Sequence, residues 1–136
     1  MILADSGPMV ALFVSTDRAR PTVRQFITES RELIVMAAPV IAEVAHFIGS
    51  RARQRDEAAF LRFIGEGRMP VEHPVQADYL RAAALVEQYA DFPLGTVDAL
   101  IAAMAERLKV TKLLTLDHRH FGAIRPAHCE AFTLVP

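Results

Sequence analysis

GTVDALIAAMAERLKVTKLLTLD, residues 95–117, contains a helix that runs straight into a strand. Val97, Leu100, Ile101, Met104 and Leu108 recur at three- and four-residue steps, which predicts one apolar stripe along an amphipathic helix. Thr96 is expected to cap that helix, with Asp98 in its first turn. KLLTL at 112–116 is short and apolar, as a buried strand should be, and Asp117 follows at once. A long helix delivering the chain to a buried strand is half of a parallel crossover unit.

The same alternation extends to both ends of the chain. MILA at 1–4, ELIVMAA at 32–38 and EAFTLVP at 130–136 read as strands, and MPVEHP at 69–74 as a short one bounded by prolines. Between them lie helical patterns: GPMVALFVS with Pro8 in its first turn, and TDRARPTVRQFITES with Val23, Phe26 and Ile27 on one side. PVIAEVAHFIGSRA begins with Pro39, RDEAAFLRFIGEG ends at Gly65 and Gly67, and QADYLRAAALVEQYADF is rich in alanine. Strands separated by helices predict an α/β sandwich around a mostly parallel sheet. At 136 residues, without repeats or linkers, the chain is expected to form a single domain spanning 1–136.

Composition narrows the classes. Hydrophobic residues make up 52% and mean hydropathy is +0.23, enough for a core and slightly rich for a lone domain. The net charge of −1 leaves bulk charge silent on nucleic acid, so any binding surface must be local. No stretch approaches the roughly 20 apolar residues of a spanning helix. No signal-peptide pattern opens the chain, and the single Cys129 excludes an internal disulfide. A soluble, cytoplasmic protein is expected, with Cys129 a small buried residue.

Four acids then stand out. Asp5 follows the first strand, Asp117 follows KLLTL, Asp98 opens its helix, and Glu43 lies early in the helix after the second strand. In open α/β sheets, ligands bind beyond the carboxyl ends of the strands. Each acid alone has a structural explanation: a helix dipole for Asp98, a turn for Asp117, a solvated face for Glu43. Together they do not, because two carboxylates ~4 Å apart repel by about 4 kcal/mol at an effective dielectric near 20. Such a cluster must bind protons or a cation. An all-carboxylate set suits Mg²⁺ or Mn²⁺, and water on such an ion can attack phosphorus.

At these residues the sequence resembles PIN domains, and specifically VapC-type ribonuclease toxins of toxin–antitoxin pairs. LADSG at 3–7, APVIAEV at 38–44, GTVDALIAAMA at 95–105 and LLTLDHRHF at 113–121 occur in the family's order and span nearly the whole chain. The resemblance implies a PIN-like three-layer sandwich and an Mg²⁺-dependent endoribonuclease acting on structured or loop RNA. It implies Asp5, Glu43, Asp98 and Asp117 as catalytic and metal-binding residues, supported by the hydroxyls of Ser6 and Thr115. It further implies a homodimer inhibited by a cognate antitoxin. Many members carry another acid shortly after the one at Asp117; here His120 stands in that region, so one resident Mg²⁺ is expected, with a second arriving with substrate. The alternatives are a catalytically inactive PIN-like protein- or RNA-binding module and, from another class, a phosphoryl-accepting domain. The latter lacks its second acid beside Asp5 and its lysine.

Other motifs carry less. DHRH at 117–120 offers imidazoles at i, i+2, which share no helix face, and no HExxH or CxxC accompanies them, so a histidine–zinc site is not expected. RARQR at 51–55 and the Arg18, Arg20, Arg24 cluster are either solvated helix faces or RNA-phosphate contacts. Phe47, Phe60 and Phe63 read as core or dimer residues.

Overall fold

The computed structural model describes residues 1–136. In chain order the elements are β1 (Ile2–Ala4), α1 (Ser6–Phe13), α2 (Arg20–Glu29), β2 (Ile34–Ala37), α3 (Val40–Arg51) and α4 (Gln54–Gly65). They continue with β3 (Val71–Glu72), α5 (Gln76–Gln88), α6 (Thr96–Leu108), β4 (Lys112–Leu114), α7 (His118–Ala123) and β5 (Thr133–Val135). The strands form one sheet in the order β3-β2-β1-β4-β5. Every pairing is parallel, with Ile2 beside both Ile34 and Lys112. The expected mostly parallel α/β sheet is therefore parallel throughout.

Continuous apolar runs produce this sheet because both of its faces are covered. Every residue of β1 and β2 is buried. Against it, α1 packs with α2, α3 and α4, while α5 packs with α6. Helix α6 is buried continuously from Ala99 to Glu106, and its alanines allow this close approach. The expected stripe through Leu100, Ile101 and Met104 is there, but the burial wraps further round the helix. Phe60 is fully buried and stacks edge-on against Phe13, as does the partly buried Phe63.

Polar pairs fix α5 against α6. Arg81 forks onto Glu106 at 2.6 and 2.9 Å, and Glu106 also accepts the Ala127 N–H at 2.9 Å. Arg107 reaches Asp78 at 2.9 Å and Glu72 at 3.1 Å. Asp78, only 2% exposed, also accepts the Val75 N–H at the start of α5.

Three local expectations are corrected, and one helix is added to those expected. Gly95, not Thr96, is the N-cap of α6, and no side chain caps it. Pro39 stands one position before α3, as its N-cap. Residues 118–123 form the helix α7, which lacks the apolar periodicity that reveals a helix in sequence. Cys129 is half-buried rather than buried, its Sγ 3.4 Å from the Ala131 carbonyl.

Candidate active site

β1 lies between β2 and β4, so the chain leaves it toward opposite sides of the sheet. A crevice opens at such a point, beyond the carboxyl ends of the strands. Asp5 occupies this position as the N-cap of α1. Its Oδ1 accepts the Ser6 N–H at 2.6 Å and its Oδ2 accepts the Thr115 hydroxyl at 2.8 Å. Asp5 is 5% exposed and Thr115 fully buried, so this carboxylate is held nearly rigid at the base of the site.

Thr115 has a second partner. Its Oγ1 accepts the Asp117 N–H at 3.0 Å while its own proton goes to Asp5. One hydroxyl thus ties the turn after β4 to the carboxylate after β1. Asp117 is the N-cap of α7, its Oδ1 accepting the His120 N–H at 2.8 Å. Its Oδ2 lies 2.6 Å from His120 Nδ1. A carboxylate can only accept, so the Nδ1 that faces it carries a proton.

Asp98 enters from the first turn of α6. Atoms of Asp98, Asp117 and His120 that could ligate a metal all lie within 4.8 Å of one another. Asp5, Ser6, Asp98, Asp117 and Arg119 line one open groove of about 560 Å³. Glu43, in the first turn of α3, does not line it, but its charge acts on both Asp5 and Asp98. All four expected acids are therefore electrostatically connected, with Glu43 set furthest back.

Their protonation reflects that crowding. Asp98 is pushed up from 3.8 to about 6, first by burial and then by the charges of Asp5, Asp117 and Glu43. Asp5 is also raised, by burial and by Glu43, against the lowering bonds from Thr115 and Ser6. Burial pushes Asp117 up too, but the His120 backbone and ring outweigh it and hold the carboxyl below its ordinary value. Asp98 is thus the acid with most to gain from a cation. The donors lining the groove are mainly carboxylate oxygens, a set that suits a hard divalent ion.

Three residues that sequence reasoning passed over belong to this site. His120 meets Asp117 because α7 places them three apart on one turn. Phe92 lies 5.2 Å from the His120 ring and 5.6 Å from the Arg119 guanidinium, bracing both. Gly95, the N-cap of α6, lies against Asp98, a Cβ there falling 3.4 Å from Oδ2, at van der Waals contact.

Fold and site define an α/β protein with an acidic groove at the carboxyl edge of a parallel sheet. Residues 2–125 match the sequence profile of the PIN domain, and the chain belongs to that family. It is 30% identical over 135 residues to Ribonuclease VapC26 of Mycobacterium tuberculosis, covering 99% of this chain and 100% of that protein. Among solved structures it is similar to VapC20 of the same organism, described as a sarcin-ricin loop cleaving toxin. That match has a TM-score of 0.84 at 16% identity, covering 96% of this chain and 99% of the other. A toxin–antitoxin complex from Klebsiella pneumoniae gives a TM-score of 0.72 at 18% identity, covering 100% and 97%.

Proposed function

We propose that this chain is a divalent-metal-dependent endoribonuclease, the toxin of a VapBC-like type II toxin–antitoxin module, which hydrolyses RNA phosphodiester bonds. The observation that carries the reading is the convergence of Asp5, Asp98 and Asp117 on one groove, with Asp98 raised to about 6 by its neighbours. Whole-chain similarity to Ribonuclease VapC26 supports the same substrate class.

In this reading Asp5, Asp98 and Asp117 hold Mg²⁺, with Mn²⁺ as a substitute, and Glu43 adds its negative charge to the site. Bound there, the ion would polarise the phosphodiester and lower the pKa of the attacking water. The chain's own contribution is positional. Asp5 is immobilised by Ser6 and Thr115, and Asp117 by His120, so these carboxylates need little reorganisation on binding. Arg119, at the rim, is placed to meet a phosphate oxygen. The whole chain, 1–136, works as one PIN-like unit in the cytoplasm, and no helix is long and apolar enough to cross a membrane. A cognate antitoxin and a homodimer complete the proposal. The exposed apolar side chains Val75, Tyr79, Leu80 and Val86 along α5 and its N-cap support a covered face there.

The test is cleavage of a structured RNA by the purified chain in Mg²⁺ and in chelator. Cutting should require the metal and fall at least about 100-fold in Asp5→Asn and Asp98→Asn. Cleavage at the wild-type rate by Asp98→Asn would overturn the assignment and favour a module that acts by binding alone.

A further inference from the structure

Arg20 meets Arg51, Arg53 and Arg55, about thirty positions further along the sequence, at one groove of about 500 Å³. Arg20 comes from the start of α2, Arg51 from the end of α3, and Arg53 and Arg55 from the start of α4. Ser15 and Thr16 add two hydroxyls, and Asp56 is the one acid in the lining. Asp56 is already engaged, accepting the Arg53 N–H at 3.0 Å and lying 3.8 Å from Arg55. Arg20, Arg51 and Arg53 form no ion pair within the chain.

Arg51 has a structural reason for its place and the cations at the helix starts do not. Arg51 sits at a helix C-terminus, where a positive charge is favourable, and its guanidinium lies 4.7 Å above the Phe47 ring. Arg20, Arg53 and Arg55 instead occupy helix N-termini, where the macrodipole disfavours a cation. A groove that gathers two helix N-termini and four guanidiniums is suited to a polyanion.

Its position relative to the acids suggests which one. Helix α1 starts at Asp5 and ends beside this groove, rising about 12 Å over its 8 residues. Helix α3 carries Glu43 in its first turn and Arg51 in its last. Helix α1 therefore runs from the acidic groove to the basic one, and α3 runs from the charge of Glu43, which acts on Asp5 and Asp98, to the same basic groove. We propose that this groove binds the phosphodiester backbone of the substrate RNA, a few nucleotides from the bond cut at the acidic site. The proposal rests on the ribonuclease reading above. A phosphate backbone presents one charge per nucleotide to successive guanidiniums. The mostly polar lining offers little to the apolar face of a peptide helix.

The experiment compares wild type with the triple variant Arg20→Gln, Arg51→Gln, Arg53→Gln. A charge-matched control, Arg31→Gln, Arg68→Gln, Lys109→Gln, alters exposed cations elsewhere. Binding of a 20-nucleotide single-stranded RNA is measured without divalent metal across a salt series, and cleavage of the same RNA and of a trinucleotide is measured in Mg²⁺. We expect the groove variant to bind roughly ten-fold or more weakly than the control. Its slope of log K against log salt should be shallower by about 2, or about 0.7 for each lost contact. Its KM for the long RNA should rise while kcat and trinucleotide cleavage stay unchanged. Control-like affinity and slope in the groove variant would overturn the proposal. So would tighter wild-type binding of polyglutamate than of RNA, lost in the groove variant, because that assigns the groove to an acidic peptide. If wild type binds RNA through these arginines but cuts nothing in Mg²⁺, the ribonuclease reading fails while the groove assignment stands.

Discussion

Thr115 offers one proton and uses its oxygen as an acceptor, and both are committed to the site. Replacing it with valine keeps the volume but removes both bonds, leaving the Asp117 N–H without its partner. We expect Thr115→Val to fold yet cleave RNA about 10- to 100-fold more slowly, the usual effect of losing a group that orients a metal-binding carboxylate. Thr115→Ser should stay within a few-fold of wild type. Initial-rate assays at saturating Mg²⁺ check this, and a Val variant as active as the Ser variant would remove Thr115 from the site. The placement of the four acids was legible in the sequence because strand ends and helix starts share one edge of a parallel sheet, whereas Thr115 came only with the family resemblance. His120 was not, because its contact with Asp117 depends on a turn of helix that the local sequence does not announce.

At the scale of elements, periodicity exposed every strand and every helix but α7. That helix has 6 residues and only Phe121 among them is buried, so no apolar repeat betrays it. The Asp117 side chain accepting the His120 N–H supplies the start signal, in a residue also read as a site acid. The strand order and the α5–α6 ion pairs were equally hidden, because pairing partners 25 positions apart leave no local pattern. Those pairs carry a consequence for stability. Glu106→Ala would leave the Arg81 guanidinium and the Ala127 N–H without their acceptor. A loss of about 2–4 kcal/mol is expected, lowering Tm by roughly 10 °C. Differential scanning calorimetry measures it, with KM for RNA as the control that should not move. A Tm within about 2 °C of wild type would show that the pair adds nothing over its exposed alternatives.

For the molecule as a whole, the acidic groove sets a conflict between stability and function. Asp98 has a folded pKa of about 6 against 3.8 for an unperturbed aspartate, so between these values the folded chain holds a proton that the unfolded chain has lost. Stability without metal should then fall as pH rises from about 4 to about 6 and level off above, and the raised Asp5 acts in the same direction. Asp117, held low, acts oppositely and only below about 4, where its protonation removes stability. A divalent cation that binds only the folded state opposes the loss. At tenfold its dissociation constant it adds about 1.4 kcal/mol. Because protons compete for the same oxygens, the gain should be larger at pH 8 than at pH 5. Asp98→Asn removes one charge from the cluster. It should therefore melt a few degrees above wild type at pH 8 in chelator, and respond less to Mg²⁺, while losing cleavage. Thermal melts of both proteins at pH 5 and pH 8, with Mg²⁺ and with chelator, read all of these shifts. A wild type whose Tm is indifferent to Mg²⁺ at pH 8, or an Asn variant that melts lower there, would mean that the carboxylates do not repel strongly enough to need an ion.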